Sequence, residues 1–120
     1  MQSMTNFNAG DVVLVVFPFT DWSSVKQRPA VVVSPDRLNR IQRDIILCAL
    51  TSHGKGVHTQ EEYVLDKHEQ DAAGLPHTSK VKLDKIITID SRLIRKRLGR
   101  LPENSAARLL EQLRAIFTID

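Results

Sequence analysis

The chain has 120 residues, a length that suits one domain and lets a fold bury roughly 65% of its unfolded surface without metal or disulfide staples. Its 42% hydrophobic and 26% charged composition excludes disorder across the whole chain, and the single Cys48 excludes an intrachain disulfide scaffold. Seventeen Lys and Arg against fourteen Asp and Glu give a net charge of +3. That balance falls short of a histone-like binder and still suits an anionic partner. No apolar run approaches the ~18 residues of a membrane span. Met1–Ala9 lacks the basic-then-apolar layout of a signal peptide, so a cytoplasmic location and no membrane partner are expected.

In chain order, Gly10-Asp11 precedes Val12–Phe17, a β-branched run ended by Pro18 that predicts a first strand. Thr20–Gln27 is polar and reads as a loop. Arg28–Ser34 predicts a second strand, with Pro29 at its start because proline cannot donate to a ladder. Pro35–Arg43 is polar, and Asp44–Thr51 predicts a third strand. The body of that strand, Ile45–Leu50, is apolar on both faces and marks it as central. Ser52–Gln60, with Gly54 and Gly56, reads as a flexible loop. Tyr63–Leu65 predicts a short strand, and Asp71–His77, carrying Gly74-Leu75-Pro76, breaks it. Ser79–Ile86 alternates polar and apolar residues and predicts a half-buried fifth strand. Asp90 is placed as the N-cap of a helix over Ser91–Leu98, stopped by Gly99. After Pro102, apolar Ala106, Leu109, Leu110, Leu113, Ile116 and Phe117 recur at helical spacing and predict an amphipathic C-terminal helix. Five strands followed by helices, without βαβ alternation, predict an antiparallel sheet and an α+β fold or small barrel.

No phosphate-binding glycine loop, HExxH, CxxC or GxSxG motif occurs. His53, His58, His68 and His77 lie in polar stretches without metal-ligand spacing and read as solvated loop residues. Cys48, inside an apolar strand, reads as core. Strand ends offer more. Arg28 opens the second strand, Thr51 and Ser52 end the third, and Lys82 and Asp84 share the polar face of the fifth. An arginine to hold a phosphate, hydroxyls to orient it and a carboxylate base suit phosphodiester cleavage. The same residues also suit surface ion pairs and a strand-end cap.

Several segments, in order and spacing, resemble the MazF/PemK toxins of bacterial toxin–antitoxin pairs. They are Gly10–Val15, Lys26-Gln27-Arg28-Pro29-Ala30-Val31-Val32-Val33-Ser34, Leu50-Thr51-Ser52, and Gly74-Leu75-Pro76 with Ser79-Lys80-Val81. Ile87–Asp90 and Leu98-Gly99-Arg100-Leu101 complete the pattern, which spans residues 9–118. The resemblance implies an α+β fold, an SH3-like antiparallel β-barrel of the CcdB/MazF/PemK type with a C-terminal amphipathic helix. It implies one domain over residues 1–120, with 1–8 a loose tail, assembled as a homodimer. The implied activity is sequence-specific cleavage of single-stranded RNA without metal or other cofactor. The 2′-hydroxyl attacks the adjacent phosphate and leaves a 2′,3′-cyclic phosphate and a 5′-hydroxyl.

By position, the resemblance makes Arg28 the group that stabilises the phosphorane, since arginine's pKa above ~12 makes it a poor proton donor. Thr51 and Ser52 orient the phosphate, and Asp84 takes the general-base position. Lys82 stands where some members carry arginine, and it holds a phosphate only as a point charge. Lys26 and Gln27 join the RNA-binding set. Trp22, in the first connection, either stacks a base or packs its loop onto the barrel. The basic run Arg92, Arg95, Lys96, Arg97, Arg100 either tracks phosphates or forms a solvated helix face. A cognate antitoxin is the implied protein partner, its acidic tail lying in the RNA groove. The competing class is a non-catalytic protein-binding toxin of the same fold, of the gyrase-inhibitor type.

Overall fold

A computed structural model of the chain describes residues 6–17, 26–52 and 58–120. Val12 and Val13 explain the first layer of the fold: adjacent in sequence and both fully buried, they point to opposite faces of one strand and enter two different cores. That strand, β1 (Asp11–Phe17), pairs with β2 (Lys26–Val32) and with β6 (Ile94–Arg100). The central β3 (Asp44–Ser52) joins β2 to β5 (Ser79–Asp90), and β4 (Glu62–Val64) forms the far edge. The sheet order is β4-β5-β3-β2-β1-β6, and every pairing is antiparallel.

This is the α+β architecture expected, with one correction. Among the described residues β4 and β6 are edges that do not pair, so the sheet is open rather than a closed barrel. One face carries Val12, Val31, Cys48, Leu50, Val81 and Leu83 against α2 (Lys67–Ala72) and the C-terminal α3 (Glu103–Ala115), which contributes Leu109. The other face carries Val13, Val15, Ala30, Val32, Ile45 and Leu47 and is covered in part by Phe7. Phe7 belongs to the N-terminal stretch expected as a tail. It is buried and lies 5.6 Å under the Arg97 guanidinium, while Met1–Thr5 fall outside the described residues.

A second correction concerns the segment after Asp90. Asp90 does cap a turn, accepting from the Arg92 N–H at 2.9 Å, but the turn is one 3-10 turn, Ser91–Leu93. The chain then runs as β6, not as a helix to Leu98, so the sheet has six strands. Pairing with β1 decides this outcome, and ion pairs from a buried carboxylate to two partly exposed arginines fix its end. The fully buried Asp11 carboxylate accepts from Arg97 and Arg100 at 2.9 and 2.8 Å. The basic run therefore lies on that turn and on β6, and three of its arginines are occupied by carboxylates, Arg92 by Asp90 at 2.9 Å.

Two short helices fall in segments expected to be irregular. Helix α1 (Asp36–Asn39) follows Pro35, and α2 opens on a capping box. In that box Asp66 accepts from the Glu69 N–H and Glu69 accepts from the Asp66 N–H, at 2.8 and 2.9 Å. The buried Glu69 carboxylate also takes the Tyr63 hydroxyl at 2.6 Å and Arg108 of α3 at 3.3 Å, tying α2 to β4 and α3.

Candidate active site

Pro29 shapes the site. It lies within β2 opposite Leu14 of β1, and the β2–β3 ladder begins only at the next residue, Ala30 opposite Ala49. A residue with no N–H cannot extend that ladder, so β2 from Lys26 to Pro29 and the end of β3 from Leu50 to Ser52 are left unzipped. A cleft of about 390 Å³ opens at this end of the sheet. Arg28 and Pro29 line it from β2, Leu50, Thr51 and Ser52 from β3, and Lys96 and Leu98 from β6. The Gly74–His77 loop and Ser79 complete the wall.

That loop is held against β6. Gly74 has φ +71, a backbone region that favours glycine, and a Cβ there would run into the Leu98 carbonyl. Gly99 answers it from the other side, where a Cβ would meet the Ala72 carbonyl. Leu75 donates its N–H to the Gln70 carbonyl at 3.1 Å and is itself buried. The Ser79 hydroxyl donates to the His77 carbonyl at 2.8 Å.

The structure thus brings Arg28, Thr51 and Ser52 together from two strands, as the spacing of polar groups at strand ends suggested. All three are exposed. Among the described residues no Asp or Glu lines the cleft, and the charged side chains they bring to it are Arg28 and Lys96. Lys26 and Gln27 lie exposed on the same β2 segment, next to the cleft but not lining it.

Lys82 and Asp84 are placed differently. Lys82 sits opposite Ala49, and Lys80 rather than Lys82 is the direct partner of Thr51. Both lysines bind one carboxylate, Glu62 of β4, at 2.7 Å from Lys82 and 3.0 Å from Lys80. The hydrogen bonds from Lys82 and then Lys80 pull the Glu62 carboxyl down to about 2, and the Glu62 bond pushes Lys82 up. Asp84 follows in an irregular stretch of β5, where the register against β3 shifts between Cys48 and Ala49, and it is exposed. Neither residue lines the cleft. Trp22 lies outside the described residues.

Cys48 is fully buried, and burial followed by the Asp84 charge pushes its thiol up to about 11, which keeps it protonated and inert. Among the described residues no group of three His, Cys, Asp or Glu side chains is arranged to hold a metal ion. No described helix is long and apolar enough to cross a membrane. Of the cleft residues, His77 was missed by sequence reasoning, and Lys96 was weighed only as one member of a basic run. His77 stood in a polar loop with no distinguishing neighbour, and Lys96 stood in a basic run read as helical.

An open antiparallel sheet with a helix packed on one face, and a cleft whose described charged residues are Arg28 and Lys96, define a small α+β protein. Residues 8–117 match the family model described as the PemK-like, MazF-like toxin of type II toxin–antitoxin systems, and the chain belongs to that family. The chain is similar to the structure of MazE–MazF from Deinococcus radiodurans, at 26% identity and a TM-score of 0.73 over 93% of this chain and 96% of that one. It is similar in fold to the Mycobacterium tuberculosis toxin MazF-mt6, at 18% identity and a TM-score of 0.71 over 92% and 98% of the two chains. It also superposes on an endoribonuclease in complex with its cognate antitoxin from a mycobacterial species, at 18% identity and a TM-score of 0.71 over 93% of each chain. No curated protein sequence matches the chain.

Proposed function

We propose that the protein is an endoribonuclease toxin that cuts single-stranded mRNA at a short recurring sequence, without a metal, and is restrained by a cognate antitoxin. The observation that carries this reading is the cleft itself: Arg28, Thr51 and Ser52 converge there with Lys96, and among the described residues no carboxylate lines it. A phosphodiester is an anion, and the pentacoordinate phosphorane formed during its cleavage carries still more charge. Arg28 supplies a fixed, always-protonated fork for that charge, and Lys96 adds a second cation. The Thr51 and Ser52 hydroxyls at the strand end can donate to the non-bridging oxygens. With cations of its own at the phosphate, the site has a way to stabilise the transition state that requires no metal.

The ring-closing route follows from this chemistry. The substrate's own 2′-hydroxyl attacks the adjacent phosphorus, the bond to the 5′-oxygen breaks, and the products carry a 2′,3′-cyclic phosphate and a 5′-hydroxyl. The same positive groove suits the acidic tail of an antitoxin, so one surface serves substrate and inhibitor. Family membership and the antitoxin complexes solved for relatives support the antitoxin partner, and a homodimeric assembly and a cytoplasmic site of action belong to the same proposal. Lys26, Gln27, Trp22 and Lys82 remain the proposed outer contacts to RNA.

The test is an RNA oligonucleotide carrying a mapped cleavage site, treated in EDTA beside the same strand with a single 2′-deoxy substitution at that site. Cleavage of the first and none of the second supports the 2′-hydroxyl route. Equal cleavage of both would exclude it. No cleavage of any single-stranded RNA by the folded protein would favour the protein-binding toxin instead.

A further inference from the structure

The geometry points to His77 as the general base of this cleft, the group that takes the proton from the attacking 2′-hydroxyl. The inference rests on the ribonuclease reading above and adds a residue to it. Among the described residues lining the cleft, Arg28 and Lys96 carry cationic side chains, and Thr51, Ser52 and Ser79 carry hydroxyls, which are poor general bases. The remaining lining residues other than His77 are apolar or glycine. Among the described lining residues, His77 carries the imidazole, the side-chain type that most often serves as a general base.

Its setting fits the role. The His77 ring makes no hydrogen bond or ion pair among the described residues and is exposed to the cleft, so it is available to a substrate. Its backbone is held by the Ser79 hydroxyl at 2.8 Å, beyond a loop pinned by Gly74 and the buried Leu75. A base on an anchored loop keeps its position when substrate arrives. The other described histidines are elsewhere. His58 lies 3.6 Å from Glu62, and His68 is exposed on α2, lining a separate pocket with Arg100 and Glu103. Asp84, the other candidate base, is off the cleft.

The step balances within the substrate and solvent. A neutral His77 ring nitrogen accepts the 2′-hydroxyl proton as the bond from O2′ to phosphorus forms. The bond from phosphorus to O5′ breaks, its electron pair stays on O5′, and that oxygen takes a proton from water. The imidazolium then returns its proton to solvent.

The experiment follows kcat/KM against pH from 5 to 9 for wild type, His77→Gln and His77→Asn, with the melting temperature of each as the check on folding. It uses the mapped RNA oligonucleotide and a second version whose 5′-bridging oxygen is replaced by sulfur. Wild-type log kcat/KM should rise with unit slope in acid and reach a plateau as the pH is raised. Both His77 variants should lose ~10²–10⁴-fold and the acid limb with it. They should stay impaired on the sulfur-bridged strand, because a better leaving group does not replace a missing base. Variants within threefold of wild type and with the same profile would overturn the assignment. Restoration of their rate by the sulfur substitution would overturn it too, since that is the mark of a missing acid. Absence of cleavage by wild type would instead remove the ribonuclease reading on which the inference stands.

Discussion

Lys82 donates to Glu62 at 2.7 Å across the β4–β5 pair, and Lys80 reaches the same carboxylate at 3.0 Å. One acidic residue thereby holds two lysines that would otherwise add to the positive field beside Thr51. The bonds hold the Glu62 carboxyl near 2, below its ordinary 4.5. A carboxyl depressed in the folded state stabilises the fold above its unfolded value, and that stabilisation drains away as pH falls from about 4.5 toward about 2. Glu62→Gln should therefore be less stable than wild type at pH 7, and the difference should shrink across that window. Urea denaturation of both proteins from pH 7 to pH 2.5 reads the gap, and a gap independent of pH would contradict the linkage.

Gly74 carries a positive φ and faces the Leu98 carbonyl, so any side chain there strains the loop and pushes it off β6. Gly74→Ala should cost about 1–3 kcal/mol, the range for a strained backbone position. Thermal unfolding measures the loss. Because the same loop forms one wall of the cleft, activity below the melting temperature should fall as well.

Asp11 is fully buried and anchors Arg97 and Arg100 of β6, while the Asn8 N–H donates to it at 2.9 Å. Asp11→Asn keeps the shape and removes the charge. It should destabilise the fold by about 2 kcal/mol, the scale of charge-assisted hydrogen bonds to partly exposed arginines. Hydrogen exchange should show β6 loosening before β3, and unchanged protection of β6 would contradict the anchoring role.

Asp84 is exposed in the irregular stretch of β5 and does not line the cleft. With His77 as the base, Asp84→Asn should cleave within about threefold of wild type, against the ~10²–10⁴-fold loss expected of a general base. Single-turnover cleavage of the mapped oligonucleotide decides between the two residues.

Strands whose apolar residues cover both faces were legible from sequence: β1 and β3 are nearly continuous aliphatic runs, and the buried central place expected for β3 is where it lies. The segment that became β6 was not legible. Ile94 and Leu98 sit at helical spacing, and its polar residues fit a wet helix face equally well. Only pairing with β1, more than eighty residues earlier, and the Asp11 ion pairs select a strand. Helix α2 did carry a local signal, the Asp66-x-x-Glu69 capping box, which lies just before the Asp71–His77 segment read as a break. At the site, Arg28, Thr51 and Ser52 were legible because strand ends gather polar groups. His77 was not, because only the packing of its loop against β6 brings it to the same cleft.

The most direct measurement is cleavage of a long single-stranded RNA in EDTA by wild type and Arg28→Ala, with chemical mapping of the new ends. The account predicts cyclic phosphate ends at one short recurring sequence for wild type. It predicts a loss of at least ~10²-fold for Arg28→Ala, the scale of removing a charge-stabilising group, at unchanged melting temperature. Undiminished cleavage by Arg28→Ala would contradict it.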